Sequence, residues 1–270
     1  MAEPSRHAPA AITWLGHSTV LLDVAGARLL TDPLLRRHSW PLRRRGGRPS
    51  EDAWADVDAV LLSHLHHDHA ELRSLRLLAG VPVVTADENA AWLRGKGLDA
   101  APGGGEGWVD VGTTDVRVRL VRADHHNRPM PHRPNAANGH LVRAPGLAVW
   151  LAGDTSLYPE MAHLPRLAGG RVDLAVVPVG GWGPRLSPGH LDPEQAARAC
   201  AAAEARHAMP VHWGTLHAPF FSYFPRGWLD NPGEAFAEAL RRHAPECRPI
   251  VLRPGEVRRL DLGDGGSAEG

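Results

Sequence analysis

The fold of this chain is decided by one stretch, Ser63-His64-Leu65-His66-His67-Asp68-His69. It follows the apolar run 59–62 and precedes a segment, 70–79, that predicts a helix ended by Gly80. Imidazole and carboxylate groups are the ligands that zinc and similar borderline metals prefer. A single histidine is more commonly a solvated or a core residue. Four ligand groups spaced H-x-H-x-D-H, between a strand and a helix, instead predict a metal site.

The composition limits the kind of protein. With 270 residues, 43% of them apolar, the chain can build a sizeable core, and one domain is favoured over two. The formal net charge is zero, so charge favours neither nucleic acid nor an anionic membrane as a partner. Cys200 and Cys247 lie far from any ligand-like spacing and are expected to be reduced core thiols of a cytoplasmic protein. No signal peptide and no membrane span are expected.

Short strand-like runs, punctuated by helix-start signals, occur on both sides of the sequence midpoint. This pattern predicts two sheets packed face to face with helices outside. Asp87 predicts the cap of one helix, and the run 192–195, Asp-Pro-Glu-Gln, predicts the capped start of another. A single domain is expected over 11–262, between a disordered lead, 1–10, and a flexible tail, 263–270.

Residues 34–50 form a segment rich in proline, glycine and arginine. A basic segment of this kind is usually a solvated or disordered arm. The sharper interpretation is a flap that attracts a phosphorylated substrate. Because the rest of the chain is not basic, a nucleic-acid groove is not expected.

Three later residues place a metal-ligand type where a predicted strand ends. They are His125, Asp154 and His212, and each lies in a loop anchored by its strand. Asp32 ends an earlier strand, and it is either a surface cap or a carboxylate that steadies a metal-binding histidine. Each residue alone would be ordinary, but their order after the histidine stretch is far more specific.

Seven short segments carry a resemblance to a known family: Trp14-Leu15-Gly16-His17-Ser18, Leu30-Thr31-Asp32-Pro33, His64 to His69, Ala123-Asp124-His125, Ala152-Gly153-Asp154-Thr155, Gly189-His190-Leu191-Asp192-Pro193-Glu194 and His212-Trp213-Gly214-Thr215. The chain resembles the metallo-β-lactamase superfamily. Within it, the chain looks like the branch of N-acyl-phosphatidylethanolamine-hydrolysing phospholipase D and L-ascorbate-6-phosphate lactonase-like proteins. The resemblance implies an α/β (α+β) fold, an αββα sandwich of two mixed β-sheets flanked by helices, with the metals at the edge of the sheets.

The resemblance also implies a ligand set for two divalent metal ions, zinc ahead of manganese or iron. It places one ion on His64, His66 and His125, the other on Asp68, His69 and His212, and Asp154 between the two. It favours His125 over His126, and His67 is expected to point away. Asp68 would also orient a metal-bridging hydroxide. His190, just before a capped helix, would contact the substrate, although a simple loop histidine is the alternative.

Aromatic residues follow the His212 loop closely. Phe220, Phe221 and Phe224 are either a core wall or, with Trp182, an apolar rim for an acyl chain or an aromatic leaving group. We expect a dinuclear-metal hydrolase, foremost a phosphodiesterase of phospholipase-D-like type. The alternative is a lactonase or carboxylic-ester hydrolase, and a nuclease or a non-catalytic metal-binding protein is disfavoured. The expected partner is a small-molecule or lipid-like substrate, without nucleic acid and with at most peripheral membrane contact.

Overall fold

The computed structural model describes residues 10–39, 41–103, 105, 107–125, 132–222 and 225–260. The strands in these ranges are β1 (Ala10–Gly16), β2 (Thr19–Val24), β3 (Ala27–Thr31), β4 (His38–Ser39), β5 (Leu42–Arg44), β6 (Ala59–Leu61), β7 (Val83–Thr85), β8 (Ala100–Pro102), β9 (Val109–Asp110), β10 (Arg117–Arg122), β11 (Asn138–Ala144), β12 (Leu147–Leu151), β13 (Leu174–Pro178), β14 (His207–Val211), β15 (Leu216–His217), β16 (Arg248–Pro249) and β17 (Val257–Leu260). The α-helices are α1 (Leu72–Leu75), α2 (Asp87–Arg94), α3 (Leu164–Ala168), α4 (Pro193–Ala202) and α5 (Pro232–His243). Single 3₁₀ turns occupy Glu51–Trp54, Arg76–Leu78 and Pro159–His163.

Two seven-stranded sheets form the centre of the molecule. The first has the order β17-β1-β2-β3-β6-β7-β8, antiparallel from β17 to β3 and parallel from β3 to β8. The second has the order β16-β14-β13-β12-β11-β10-β9, parallel from β16 to β12 and antiparallel from β12 to β9. Both sheets are therefore mixed, as the family resemblance implies.

The apolar side chains divide between an inner layer and two outer layers. Along β13, Leu174 and Val176 face the core between the sheets, and Ala175 and Val177 face the core shared with the helices α4 and α5. Successive side chains of a strand point to opposite faces, so a strand buried on both faces needs an unbroken apolar run. A third core packs the outer face of the first sheet against α1 and α2. The predicted αββα sandwich is confirmed.

The basic segment 34–50 is partly built into the fold. Its strands β4 and β5 pair with each other and with β15 in a small third sheet. The guanidinium group of Arg44 donates to the carbonyls of Leu34 at 2.9 Å and Gly47 at 3.0 Å, and it also contacts the Leu15 carbonyl. Burial lowers the pKa of Arg44 to about 10. The interpretation as a disordered arm is therefore wrong for 38–39 and 42–44, where main-chain pairing overrides the local composition.

The helix starts agree with the sequence in part. At α4 the Asp192 carboxylate accepts from the Gln195 N–H at 2.8 Å, and the Gln195 side chain accepts from the Asp192 N–H at 3.1 Å, as predicted. At α2 the cap is Ala86, so Asp87 is the first helical residue rather than the cap. The predicted helix 70–79 is a single α-turn that continues as a 3₁₀ turn. Its cap, Glu71, accepts from two main-chain N–H groups.

The ends of the chain lie mostly outside the described residues. β1 begins at Ala10, inside the expected lead 1–10, and β17 ends at Leu260. Residues 1–9 and 261–270 fall outside the description, and so does the whole expected tail 263–270. Of the helices in the described ranges, none has the length and apolar character needed to cross a membrane.

Candidate metal centre

Five strands end at one edge of the sandwich, and the loop after each carries a histidine or an aspartate. These loops follow β6, β10, β12, β13 and β14. The loop after β6 turns back on itself because the N–H groups of His69 and Ala70 both donate to the His66 carbonyl. The Asp124 N–H donates to Thr155 Oγ1 at 2.9 Å and joins the loops after β10 and β12. Ligand types that are distant in sequence are thereby brought into one place.

The first cluster consists of His64, His66 and His125. His64 Nε2 lies 2.9 Å from His66 Nδ1, which lies 3.0 Å from His125 Nε2. Burial lowers the pKa of His64 well below its ordinary value and lowers that of His66 to about 4, so both rings are neutral near pH 7. A neutral imidazole has one nitrogen lone pair free for a metal. These three rings therefore fit a shared cation.

The opposite nitrogens of these rings are also held. His125 Nδ1 donates to the Gly189 carbonyl at 2.7 Å, which leaves Nε2 free to face the cluster. His64 Nδ1 lies 2.9 Å from Ser63 Oγ, and His66 Nε2 lies 3.0 Å from the Asn135 amide. Such partners fix the orientation of a metal-binding ring. Sequence reasoning missed Asn135, which carries no spacing signal.

The second cluster consists of Asp68, His69 and His212. His69 Nε2 lies 3.2 Å from His212 Nε2, and Asp68 Oδ2 lies 3.7 Å and 3.5 Å from these two atoms. Burial alone would raise the pKa of Asp68, but His69, His17 and His212 together hold it well below its ordinary value. Asp68 is therefore ionised and able to bind a cation.

Asp154 lies between the two clusters. Its Oδ2 is 3.0 Å from His69 Nε2, 3.2 Å from His212 Nε2 and 3.9 Å from His64 Nε2. Its Oδ1 is buried and has no hydrogen-bond partner in the described ranges. A buried carboxylate oxygen without a partner is costly, and a bound cation would satisfy it. The donor set therefore fits the metals that the sequence implies, and all seven implied ligands meet at this point.

Asp32 lies beneath the site, where β3 ends. Its Oδ2 accepts from His69 Nδ1 at 2.8 Å and from Ser63 Oγ at 2.7 Å, and its Oδ1 accepts from the Ser63 N–H at 2.7 Å. Asp32 is only 3% exposed, so the interpretation as a surface cap is wrong. Asp32 thereby holds the proton on His69 Nδ1, and Nε2 is the nitrogen that faces the cluster.

His190 and Trp182 lie on the loop after β13. His190 Nε2 is 3.2 Å from Asp154 Oδ2, and its Nδ1 is 3.0 Å from the Ser187 carbonyl, so the ring faces the site. The Ala218 N–H donates to the Trp182 carbonyl at 3.2 Å, which joins this loop to the segment that leads to Phe220.

The described aromatic residues of this rim are exposed. Trp182 is 45% exposed, Phe221 44% and Phe220 97%, so the interpretation as a core wall is wrong for them. Phe220 also has a φ of +74°, a strained conformation for a bulky side chain. Phe224, and likewise His126, lies outside the described residues. His67 is exposed, while its carbonyl accepts from Ser39 Oγ at 2.5 Å.

His17 is a further residue of the second cluster that sequence reasoning did not assign. Its ring is fully buried, and its Nε2 lies 3.0 Å from Asp68 Oδ2. Burial lowers the pKa of His17 to about 3, so the ring is neutral. The signal was present in the segment Trp14-Leu15-Gly16-His17-Ser18, which carries part of the family resemblance but gave the histidine no role.

Comparison with known protein families identifies the family of this chain. The family model of the beta-lactamase superfamily domain matches residues 27–213, a range that includes all seven clustered ligands. The chain belongs to the metallo-β-lactamase superfamily. The phospholipase-like branch stays a prediction.

The similar proteins align with this chain over nearly its whole length. A metal-dependent hydrolase of Nitratidesulfovibrio vulgaris (strain DP4) is 32% identical over 95% of this chain and 98% of its own length. A metal-dependent hydrolase of Caldivirga maquilingensis is 27% identical over 93% of this chain and 98% of its own length. The structure of Igni18, a metallo hydrolase from Ignicoccus hospitalis, superposes with a TM-score of 0.71 at 22% identity, over 94% of this chain and 99% of that one. The Igni18 likeness supports the fold alone.

Proposed function

We propose that this metal-dependent hydrolase is a phosphodiesterase for small or lipid-like amphiphilic substrates and that it works with two divalent ions, zinc foremost. His64, His66 and His125 would hold one ion, and Asp68, His69 and His212 would hold the other. The observation that carries the two-ion proposal is the position of Asp154. Its Oδ2 lies 3.0–3.9 Å from nitrogens of both clusters, and its Oδ1 is buried without a partner in the described ranges.

When bound, the two ions supply a hydroxide nucleophile at neutral pH and neutralise charge on the oxygens of the scissile group. Asp68 would be placed to accept a hydrogen bond from the attacking water and so to orient it. Asp32 holds the ring of His69 through Nδ1, so that Nε2 stays aimed at the site. His190 Nε2, directed at Asp154 from the outer side, is placed to hold a proton against an oxygen of the substrate.

The phosphodiester preference rests on the surroundings of the site. The small sheet β4-β5-β15 places the exposed Arg43 opposite His217, three residues before Phe220. The same sheet is joined to the loop after β6, which carries His64 to His69 and is called the metal loop below, by the hydrogen bond from Ser39 Oγ to the His67 carbonyl. A basic side chain and an aromatic rim on segments hydrogen-bonded to loops of the centre favour a substrate with an anionic group and an apolar chain.

A substrate panel tests this proposal. Purified protein loaded with zinc, and separately with manganese, would be assayed with bis-p-nitrophenyl phosphate, an N-acyl phosphatidylethanolamine, a γ-lactone and p-nitrophenyl acetate. We expect kcat/KM for the phosphodiesters to exceed that for the lactone and the ester by about tenfold or more, a difference of about 1.4 kcal/mol in transition-state stabilisation. A lactone or ester turned over faster than both phosphodiesters would reverse the assignment.

The aromatic rim gives a prediction on substrate binding. Phe220 is 97% exposed, so Phe220→Ala removes no buried packing and should leave the free energy of unfolding nearly unchanged. If the ring contacts an acyl chain, KM for a long-chain phosphodiester should rise several-fold, and KM for bis-p-nitrophenyl phosphate should not. Leu77→Ala, at an exposed leucine far along the chain from the rim, is the control. Equal changes for the long and the short substrate would contradict a rim role.

Asp32 gives a prediction on metal affinity. Asp32→Asn keeps the shape of the side chain but replaces a charged acceptor of the His69 Nδ1 proton by a neutral amide. Partners of this kind are worth about 10–100-fold in metal affinity, so zinc should be lost at correspondingly lower chelator concentrations. Competition with a chromogenic chelator measures this. Asp23→Asn, on the same sheet but partly exposed, should bind zinc as the unchanged protein does. An unchanged affinity in Asp32→Asn would remove Asp32 from the site.

A further inference from the structure

The backbone of His17 is held in an unusual conformation. Its φ of +54° lies in the left-handed region, which is rarely adopted by residues other than glycine. The His17 N–H donates to Thr215 Oγ1 at 2.7 Å, and its carbonyl accepts from Trp14 Nε1 at 2.9 Å and from the His212 N–H at 3.0 Å. Strain that is fixed from several sides is typical of functional positions. The ring of His17 is therefore held in place by contacts that do not involve the ring itself.

The ring of His17 reaches Asp68 and little else that is polar. Its Nε2 lies 3.0 Å from Asp68 Oδ2, and its Nδ1 is buried with no hydrogen-bond partner in the described part of the chain. The ring centroid is 4.1 Å from that of His212, so His17 packs beside the second cluster. These contacts allow two roles, a fourth ligand at that cluster or a hydrogen-bond donor to Asp68.

The partners of Nδ1 separate the two roles. In His69, His125 and His212, Nδ1 faces an acceptor, respectively the Asp32 carboxylate, the Gly189 carbonyl and the Gly180 carbonyl. Each acceptor holds the ring proton at Nδ1 and leaves the Nε2 lone pair for a metal. His17 has no such acceptor. Its proton therefore belongs on Nε2, where Asp68 Oδ2 accepts it.

We propose that His17 is a positioning residue, a hydrogen-bond donor that fixes Asp68 Oδ2 against His69 and His212 without itself binding metal. This inference rests on the proposed function, because it concerns the residues that would hold the second ion. An oxygen with two lone pairs can accept the His17 N–H and bind a cation together. The rotamer of Asp68 then depends on a residue of the β1–β2 connection, far from the metal loop in sequence.

Two variants of His17 test the inference. Gln carries an N–H group at about the reach of Nε2, so His17→Gln keeps a donor for Asp68. Asn reaches only about as far as Nδ1, but it tolerates the left-handed backbone better than most residues, so His17→Asn removes the donor at the least backbone cost. The metal-free protein, unchanged or carrying either substitution, would be titrated with Zn²⁺ and with Co²⁺. Metal content per chain, Co²⁺ absorption and thermal unfolding of the metal-free form would be recorded.

We expect two ions per chain in the unchanged protein and in His17→Gln, with the affinity for the weaker ion alike within about threefold. In His17→Asn that affinity should fall by about 10–100-fold while the tighter ion is retained. The metal-free His17→Asn protein should unfold at a Tm no lower than that of His17→Gln, so the order of stability is not the order of metal affinity.

Two results would overturn the inference. If His17→Gln loses the second ion as fully as His17→Asn does, the ring nitrogen is itself a ligand. If His17→Asn keeps both ions at unchanged affinity, Asp68 does not depend on His17. An unchanged protein that binds no metal would overturn the proposed function and this inference with it, and this result differs from the other two.

Discussion

Asp154→Asn is expected to abolish most of the hydrolytic activity and to lower the metal content from two ions to one or none, in a protein that still folds. Asparagine matches aspartate in shape, so the packing around the loop after β12 is kept. What is lost is the negative charge beside His69, His212 and His64. Residues that merely support a metal ligand are worth about 10–100-fold, so a residue that faces both ions should cost more than 100-fold in kcat/KM.

The measurement combines metal analysis after dialysis with kcat/KM on the best substrate of the panel. Asp124→Asn is the matched control, because Asp124 is the neighbour of His125, and its carboxylate forms no hydrogen bond within the described ranges. Its activity should stay within about twofold. An Asp154→Asn protein that keeps two ions and full activity would contradict the position we give Asp154 between the ions.

The candidate ligand set could be predicted from the sequence because most of the patterns that indicate it are local. The spacing from His64 to His69 fits a loop that turns back on itself, and His125, Asp154 and His212 each follow a strand that its apolar run identifies. Strand ends at one edge of a sandwich lie close together whatever their distance in sequence. The chemistry and order of these residues therefore predicted the candidate site, and the family resemblance that they support predicted the αββα fold.

What the sequence did not predict depends on contacts between distant segments. His17 is a lone histidine between two strands. The role inferred for it depends on its contact with Asp68, which lies fifty-one residues further along the chain. The segment 34–50 looks unstructured because its composition is that of a loop, but β5 pairs with β15 at Arg44 and Leu216. No local sequence pattern predicts a pairing between segments this far apart in the chain. The exposure of Phe220 is of the same kind, since an aromatic run alone fits a core wall or a surface rim equally well.

Gly153→Ala is expected to destabilise the protein strongly and to weaken metal binding with it. Gly153 precedes Asp154 and has a φ of +64°, which costs an alanine about 1–2 kcal/mol. An added Cβ would lie 2.8 Å from Ser63 Cβ and 2.9 Å from the Asn138 carbonyl oxygen. Overpacking of this kind costs about 1–3 kcal/mol, so the expected loss in free energy of unfolding is about 2–5 kcal/mol.

The neighbours of Gly153 cannot move without disturbing the site. The Ser63 carbonyl accepts from the Asn138 N–H at 3.0 Å, and the Ser63 hydroxyl and N–H both bind Asp32, which holds His69. A shift of Ser63 would therefore reach His69 as well as Asp154. For this reason we expect zinc affinity to fall together with the free energy of unfolding, whereas a purely local strain would lower stability alone.

Gly26→Ala separates backbone strain from collision. Gly26 has a φ of +81°, but nothing lies within 4 Å of an added Cβ, so this variant carries the cost of the left-handed backbone alone. Urea unfolding of the metal-free proteins should place Gly26→Ala about 1–2 kcal/mol below the unchanged chain, with Gly153→Ala lower still. Zinc affinity should be unchanged in Gly26→Ala. Equal losses of stability in the two variants, with zinc affinity retained in both, would show that the close approach of Gly153 to Ser63 does not support the metal loop.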